Sequence, residues 1–145
     1  FAVSIFPMSS PPPSASDKTP PRLMKSLVLD WERLPVRPTP AGERRELFDA
    51  PTATIRHLEG HVTTLKPGET AHPPHRHFDE ELIVVKEGTL EVTINEQTQR
   101  AGAGSVFFYA SNDFHGMRNV GTTPATYYVV RIETDTSHRL ASGAT

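Results

Sequence analysis

HPPHRHFDEELIVV, residues 72–85, decides the fold. Three histidines fall within six positions, three consecutive acids follow, and the run then turns apolar at Leu82. Two readings compete: a charged loop that happens to be histidine-rich, or half of a metal site. A metal needs neutral imidazoles and carboxylates converging on one point. In extended backbone, residues i and i+2 share a face. His75 and His77 can therefore offer two nitrogens to one side, with Arg76 pointing away. Glu81 follows a bend at Phe78-Asp79 and opens the strand ELIVV, so its carboxylate can return to the same place. A fourth ligand must come from elsewhere. His115, in ASNDFHGMRN, is the candidate, because it also follows a turn and begins a strand.

Outward from this stretch, short runs rich in β-branched and aromatic residues recur: TATIRHL, HVTTLKP, ELIVVKEG, TLEVTIN, SVFFYA and ATYYVVRIE. Turn signals punctuate them at 59–60, 67–68, 87–88, 95–96, 102–104, 112–113 and 119–121. No long stretch has a helical period. The pattern predicts an all-β sandwich or barrel. Residues 1–25 read as a disordered or extended, Pro/Ser-rich N-terminal segment. Residues 26–50 read as a connector with N-terminal strands. Within it, SLVLDW is either a strand or a docking segment anchored by Trp31, and RRELFD is a first strand. Residues 51–135 form the barrel and 136–145 a C-terminal tail.

The chain has 145 residues, enough for one domain with a real core. Its net charge of -2 and the lack of a basic run beyond Arg44-Arg45 argue against nucleic acid or an anionic membrane surface as a partner. There is no cysteine, which excludes disulfides, thiolate zinc sites and cysteine nucleophiles. No apolar run is long enough to span a bilayer. Two locations stay open: cytoplasmic, or periplasmic/secreted if the opening FAVSIF is the remnant of a signal.

The stretch from Gly68 to Gly88 resembles the first motif of the cupin superfamily. His75-x-His77, three residues, Glu81, six residues and Gly88 match it, and the spacer from Gly68 to His75 is one residue longer than the commonest form. GSVFFYASNDFHGMRN, residues 104–119, resembles the second motif through Gly104, His115 and Asn119. Ala110 stands where the motif has proline, and Asn112 where it has glycine. Asparagine tolerates left-handed turn geometry, and neither change touches a ligand. The short connection between the motifs is the type seen in small single-domain cupins.

The resemblance implies a double-stranded β-helix, or jelly-roll β-barrel. It implies one divalent transition metal per chain (Mn, Fe, Ni, Co, Cu or Zn), held by His75, His77, Glu81 and His115. It also implies a small-molecule ligand in the barrel and a homodimer. Three histidines and a carboxylate would leave coordination positions open for Lewis-acid or oxygen chemistry.

Function then divides into two classes. The first is a metal-dependent enzyme acting on a small oxygen-rich substrate, such as a sugar acid or carboxylate. Its chemistry would be of isomerase, lyase, decarboxylase or dioxygenase type. His57, His61 and His72 are the catalytic candidates, although His57 and His61 also suit a satisfied strand position and His72 an exposed loop. The second is a non-catalytic, metal-stabilised module that binds or senses a small molecule. A polar cavity with titratable groups favours the first. Tyr127, Val129 and Arg131 share one face of their strand and Tyr128 the other. Arg131 is read as a salt-bridging surface residue, with a substrate-binding role as the alternative. His138 falls in the polar tail.

Overall fold

The computed structural model describes residues 20–143. The expectations of an extended or disordered N-terminal segment and of a trimmed signal rest mainly on residues 1–19, which lie outside that range. Among the described residues, β1 (Arg37–Thr39), β2 (Gly42–Ala50), β3 (His57–Leu65), β4 (Glu80–Glu87) and β5 (Thr89–Ile94) are followed by β6 (Gln97–Gly102), β7 (Val106–Tyr109), β8 (His115–Asn119) and β9 (Ala125–Glu133). A six-stranded sheet runs β1-β2-β3-β9-β4-β7 and a three-stranded sheet runs β6-β5-β8, every pairing antiparallel. This is the expected all-β jelly roll.

Side-chain alternation puts the core between the sheets. In β4, Ile83 and Val85 are buried while Leu82 and Val84 face out. Leu65, Leu90, Val92, Tyr109, Ala125, Tyr127 and Val129 complete a continuous apolar cluster with them. Asn119 is fully buried, and its amide donates to the carbonyls of Leu65 (3.0 Å) and Thr123 (2.8 Å) while its oxygen accepts from Gly121. The asparagine that ends the second motif is thus a structural pin.

Several local expectations are corrected. Glu59-Gly60 is no turn; it lies inside β3, where TATIRHL and HVTTLKP were read as separate strands. Gly60 is there for space, since a Cβ would sit 2.5 Å from the Phe48 ring. Residues 51–56 stay outside any strand. RRELFD belongs to β2, and the proline-broken connector ahead of it contains the short β1. SLVLDW forms no strand. Trp31 opens a 3-10 turn, Trp31–Arg33, and docks 6.2 Å from the Tyr128 ring, between the cations of Arg45 and Lys86. QTQRAG is a strand whose mostly polar, exposed residues carry no apolar alternation. The C-terminal stretch folds as α1 (Asp135–Ser142), closed by a Thr134–Ser137 capping box and by Gly143 in left-handed geometry. His138 is bonded to Glu133 at 2.9 Å.

Candidate metal centre

His75 leaves the loop before β4, and His115 opens β8. Their backbones form an isolated antiparallel bridge. The loop reaches β8 because Gly116 leaves room for Pro74: a Cβ there would lie 2.9 Å from the Pro74 Cγ. Pro74 therefore acts as a stiff spacer lying on β8. A second tie runs from the Asn112 N–H to the His77 carbonyl at 2.8 Å. Asn112 holds φ at 65°, the left-handed geometry its side chain tolerates.

His75, His77 and His115 each offer a nitrogen, and these atoms lie within 4.8 Å of one another, so the group can hold a metal ion. Each ring has its other nitrogen engaged by a main-chain carbonyl two residues away. Nδ1 of His75 meets Pro73 at 3.2 Å, that of His77 meets Asp79 at 2.9 Å, and that of His115 meets Asp113 at 2.8 Å. A carbonyl can only accept, so Nδ1 carries the hydrogen and Nε2 the lone pair. The Nε2 atoms of His77 and His115 are buried and have no hydrogen-bond partner. Buried polar atoms are rarely left so, and a shared cation would satisfy them.

Glu81 deepens this. Its Oε1 lies 3.0 Å from His77 Nε2, yet no aligned hydrogen bond joins them. Two acceptor lone pairs face each other, which calls for a proton or a cation between them. Burial raises the Glu81 carboxyl and nearby positive charge, Arg131 included, lowers it, and the net direction is below the ordinary carboxylate value. Burial pushes His115 down, which keeps it neutral as a ligand must be. The donor set therefore fits a divalent transition metal.

The histidine cluster opens on a cavity of about 650 Å³. His57, His61 and His72 all line it, as do Tyr127 and Arg131, whereas Tyr128 faces Trp31 on the opposite side of the sheet. His72 is nonetheless an exposed loop residue. His57 contacts Asp49, and His61 Nδ1 lies 2.7 Å from Glu59. Arg131 is not simply a surface residue, as read from the sequence. It borders the cavity and is held by Asp79 at 2.9 and 2.8 Å.

Three contributors were not singled out from the sequence. Tyr109 stacks on His115, with centroids 4.0 Å apart, and burial pushes its phenol well above the ordinary value. Gly116 makes the space already described. Asp79 accepts from Arg131 and, at 3.0 Å, from the Ser137 hydroxyl, tying the metal loop to β9 and α1. The sequence marked Asp79 only as part of a bend, with nothing to show that its side chain would meet Arg131 and Ser137.

A model of the cupin domain matches residues 61–131, which span both histidine motifs. The chain belongs to the cupin superfamily. A comparison with curated protein sequences finds no match. This cupin is similar to the Schizosaccharomyces pombe Cnp3 cupin domain, with 17% identity, a TM-score of 0.64 and 82% of each chain covered. It is also similar to a Thermotoga maritima protein described as a predicted oxalate decarboxylase, with 19% identity and a TM-score of 0.61 over 74% of this chain and 99% of that one. The polyketide cyclase RemF from Streptomyces resistomycificus gives 22% identity and a TM-score of 0.60 over 74% of this chain and 80% of that one. At these identities the likeness is one of fold, and fold does not determine reaction.

Proposed function

We propose that this cupin is a mononuclear metalloenzyme in which His75, His77, Glu81 and His115 hold one divalent transition metal and a small oxygen-rich substrate enters the cavity above them. The observation that carries the reading is the pair of buried, unpartnered Nε2 atoms beside the Glu81 carboxylate. A metal so bound supplies Lewis acidity toward a substrate oxygen, or a site for dioxygen. The chain's own residues supply the rest. Hydrogen-bonded carbonyls and the Tyr109 ring fix the imidazoles. His61, with Nδ1 donating to Glu59, keeps an Nε2 lone pair able to take a proton. Tyr127, whose phenol burial pushes up to about 12, stays protonated and can donate to a ligand.

The polar, titratable lining supports catalysis over the alternative of a passive binding module. The solved relatives described as a predicted oxalate decarboxylase and a polyketide cyclase show that this fold hosts different reactions, and the reaction class here stays within decarboxylase, isomerase, lyase or oxygenase chemistry. The test loads the chain with each ion in turn and screens oxygen uptake, decarboxylation and isomerisation. Turnover with one ion, lost in His77→Ala and reduced in His61→Ala, is expected. Turnover that persists unchanged in His77→Ala overturns the reading.

We propose also that the chain forms a homodimer through the outer face of β4 and β7. There Leu82 pairs with Phe108 and Val84 with Val106, all four exposed on the outer face beside the edge strand β7. An apolar patch of this kind marks an interaction surface.

A further inference from the structure

The cavity's charges point to the kind of molecule it takes. Its walls carry carboxylates from β2 and β3 (Glu46, Asp49, Glu59) and from the metal loop, β4 and β9 (Asp79, Glu81, Glu133). Against these six stand two guanidinium groups, Arg44 and Arg131. Counting only the carboxylates and guanidiniums of the lining, that is an excess of four negative charges, and a divalent metal would still leave two.

Neither guanidinium is free. Arg44 grips Glu46 through two nitrogens at 2.6 and 3.1 Å and reaches Glu59 at 3.0 Å. Hydrogen bonding from Arg44 holds the Glu46 carboxyl below its ordinary value, so this acid is ionised at neutral pH. Arg131 is taken by Asp79. Glu133 already holds Arg56 and His138. An incoming carboxylate or phosphate would meet no unpaired cation except the metal. Ionised carboxylates only accept hydrogen bonds, so the ligand must bring donors. The cavity reaches the proposed metal at His115, which is 2% exposed, lines the cavity and carries an unpartnered Nε2.

We infer that this cavity selects an uncharged, hydroxyl-rich or amine-bearing molecule and discriminates against free dicarboxylates and phosphates. The inference rests on the metal-site reading and narrows its substrate class. Hydroxyl or ammonium groups would donate to Asp49, Glu59 and Glu133 while another oxygen approaches the metal.

The experiment uses the full chain loaded with Co(II), followed by its visible absorption as azide, an anion, or imidazole, a neutral ligand, is added. Replacing Asp49→Asn together with Glu133→Gln is expected to tighten azide about tenfold and to leave imidazole within twofold. A second measurement holds the carbon skeleton constant. Calorimetry with glucamine, glucitol, gluconate and glucarate is expected to rank the cation and the neutral polyol at least tenfold above the dianion. Azide affinity indifferent to the two substitutions, or glucarate binding more tightly than glucitol, overturns the inference while the metal site stands. If none of the four polyols gives heat, the azide comparison alone decides. Failure to bind Co(II) at all overturns the metal reading and this inference with it.

Discussion

The main chains of His75 and His115 exchange two hydrogen bonds, of 3.0 and 2.8 Å, across an isolated bridge between a loop and the first residue of β8. Two candidate ligands distant in sequence are thus locked together through the backbone. Preorganisation of this kind lowers the cost of assembling the site. It depends on Pro74 lying flat on Gly116.

Gly116→Ala is therefore expected to act on the site more than on the fold. The new Cβ would stand 2.9 Å from the Pro74 Cγ, so the loop must lift. A stability loss of about 1 kcal/mol is expected from such overpacking, with metal affinity down about tenfold, the lower end of what supporting residues contribute. Melting curves and metal titration on the same preparation separate the two. A variant with parental metal affinity would remove Pro74 packing from the explanation.

Asp79 holds three elements together, through Arg131, through Ser137, and through its carbonyl at His77 Nδ1. Asp79→Ala should cost about 1–2 kcal/mol, a modest figure because Arg131 is half exposed and solvent screens the pair. Metal affinity should fall by about 10–100-fold as the His77 support loosens. Ser137→Ala should reproduce a smaller part of the stability loss, because it removes one bond only. Equal metal affinity in Asp79→Ala and parent would show that the loop holds itself.

Acid should weaken the metal-free chain in two stages. His115 has its folded value pushed below the ordinary 6.5 by burial, so as pH falls the unfolded chain takes that proton first and stability drops from about that pH downward. Glu81 is also held below its ordinary value, 4.5, despite its burial. Its contribution, present above that value, is lost as pH falls further. Melting temperatures of the chelator-treated protein from pH 8 to pH 4 should decline below about pH 6.5. In His115→Gln the upper stage should flatten. A parent that gains stability on acidification contradicts both assignments.

The outer face of β4 and β7 should hold the dimer. Val106 is 60% exposed and Phe108 47%, far more than single surface apolar residues need explain when they adjoin Leu82 and Val84. Light scattering should show a dimer for the parent and a monomer for Val106→Glu/Phe108→Glu, with the barrel still folded. A monomeric parent would refute the interface.

The three-histidine cluster was legible in the sequence through the two-residue strand period of His75 and His77 and through the second motif that carries His115. An all-β sandwich or barrel was legible from the short β-branched and aromatic runs and the turns between them, and the jelly roll from the resemblance to the two cupin motifs. What stayed hidden lacks a local signature. β6 is mostly polar along its length, α1 is only eight residues long, and Glu59-Gly60 reads as a turn although Phe48, on the neighbouring strand, is what requires the glycine. Arg131 is the half-exposed, salt-bridging residue expected, but its place at the cavity stayed hidden for the same reason, since it depends on Asp79, far away in the chain.

The most direct test is elemental analysis of the chain purified without added metal or a chelating tag, beside the His75→Ala/His77→Ala variant. About one equivalent of Mn, Fe, Ni, Co, Cu or Zn per parent chain, absent from the variant, is the expected result. No metal in either, with a parental melting temperature unmoved by adding any of these ions, would contradict the metal centre.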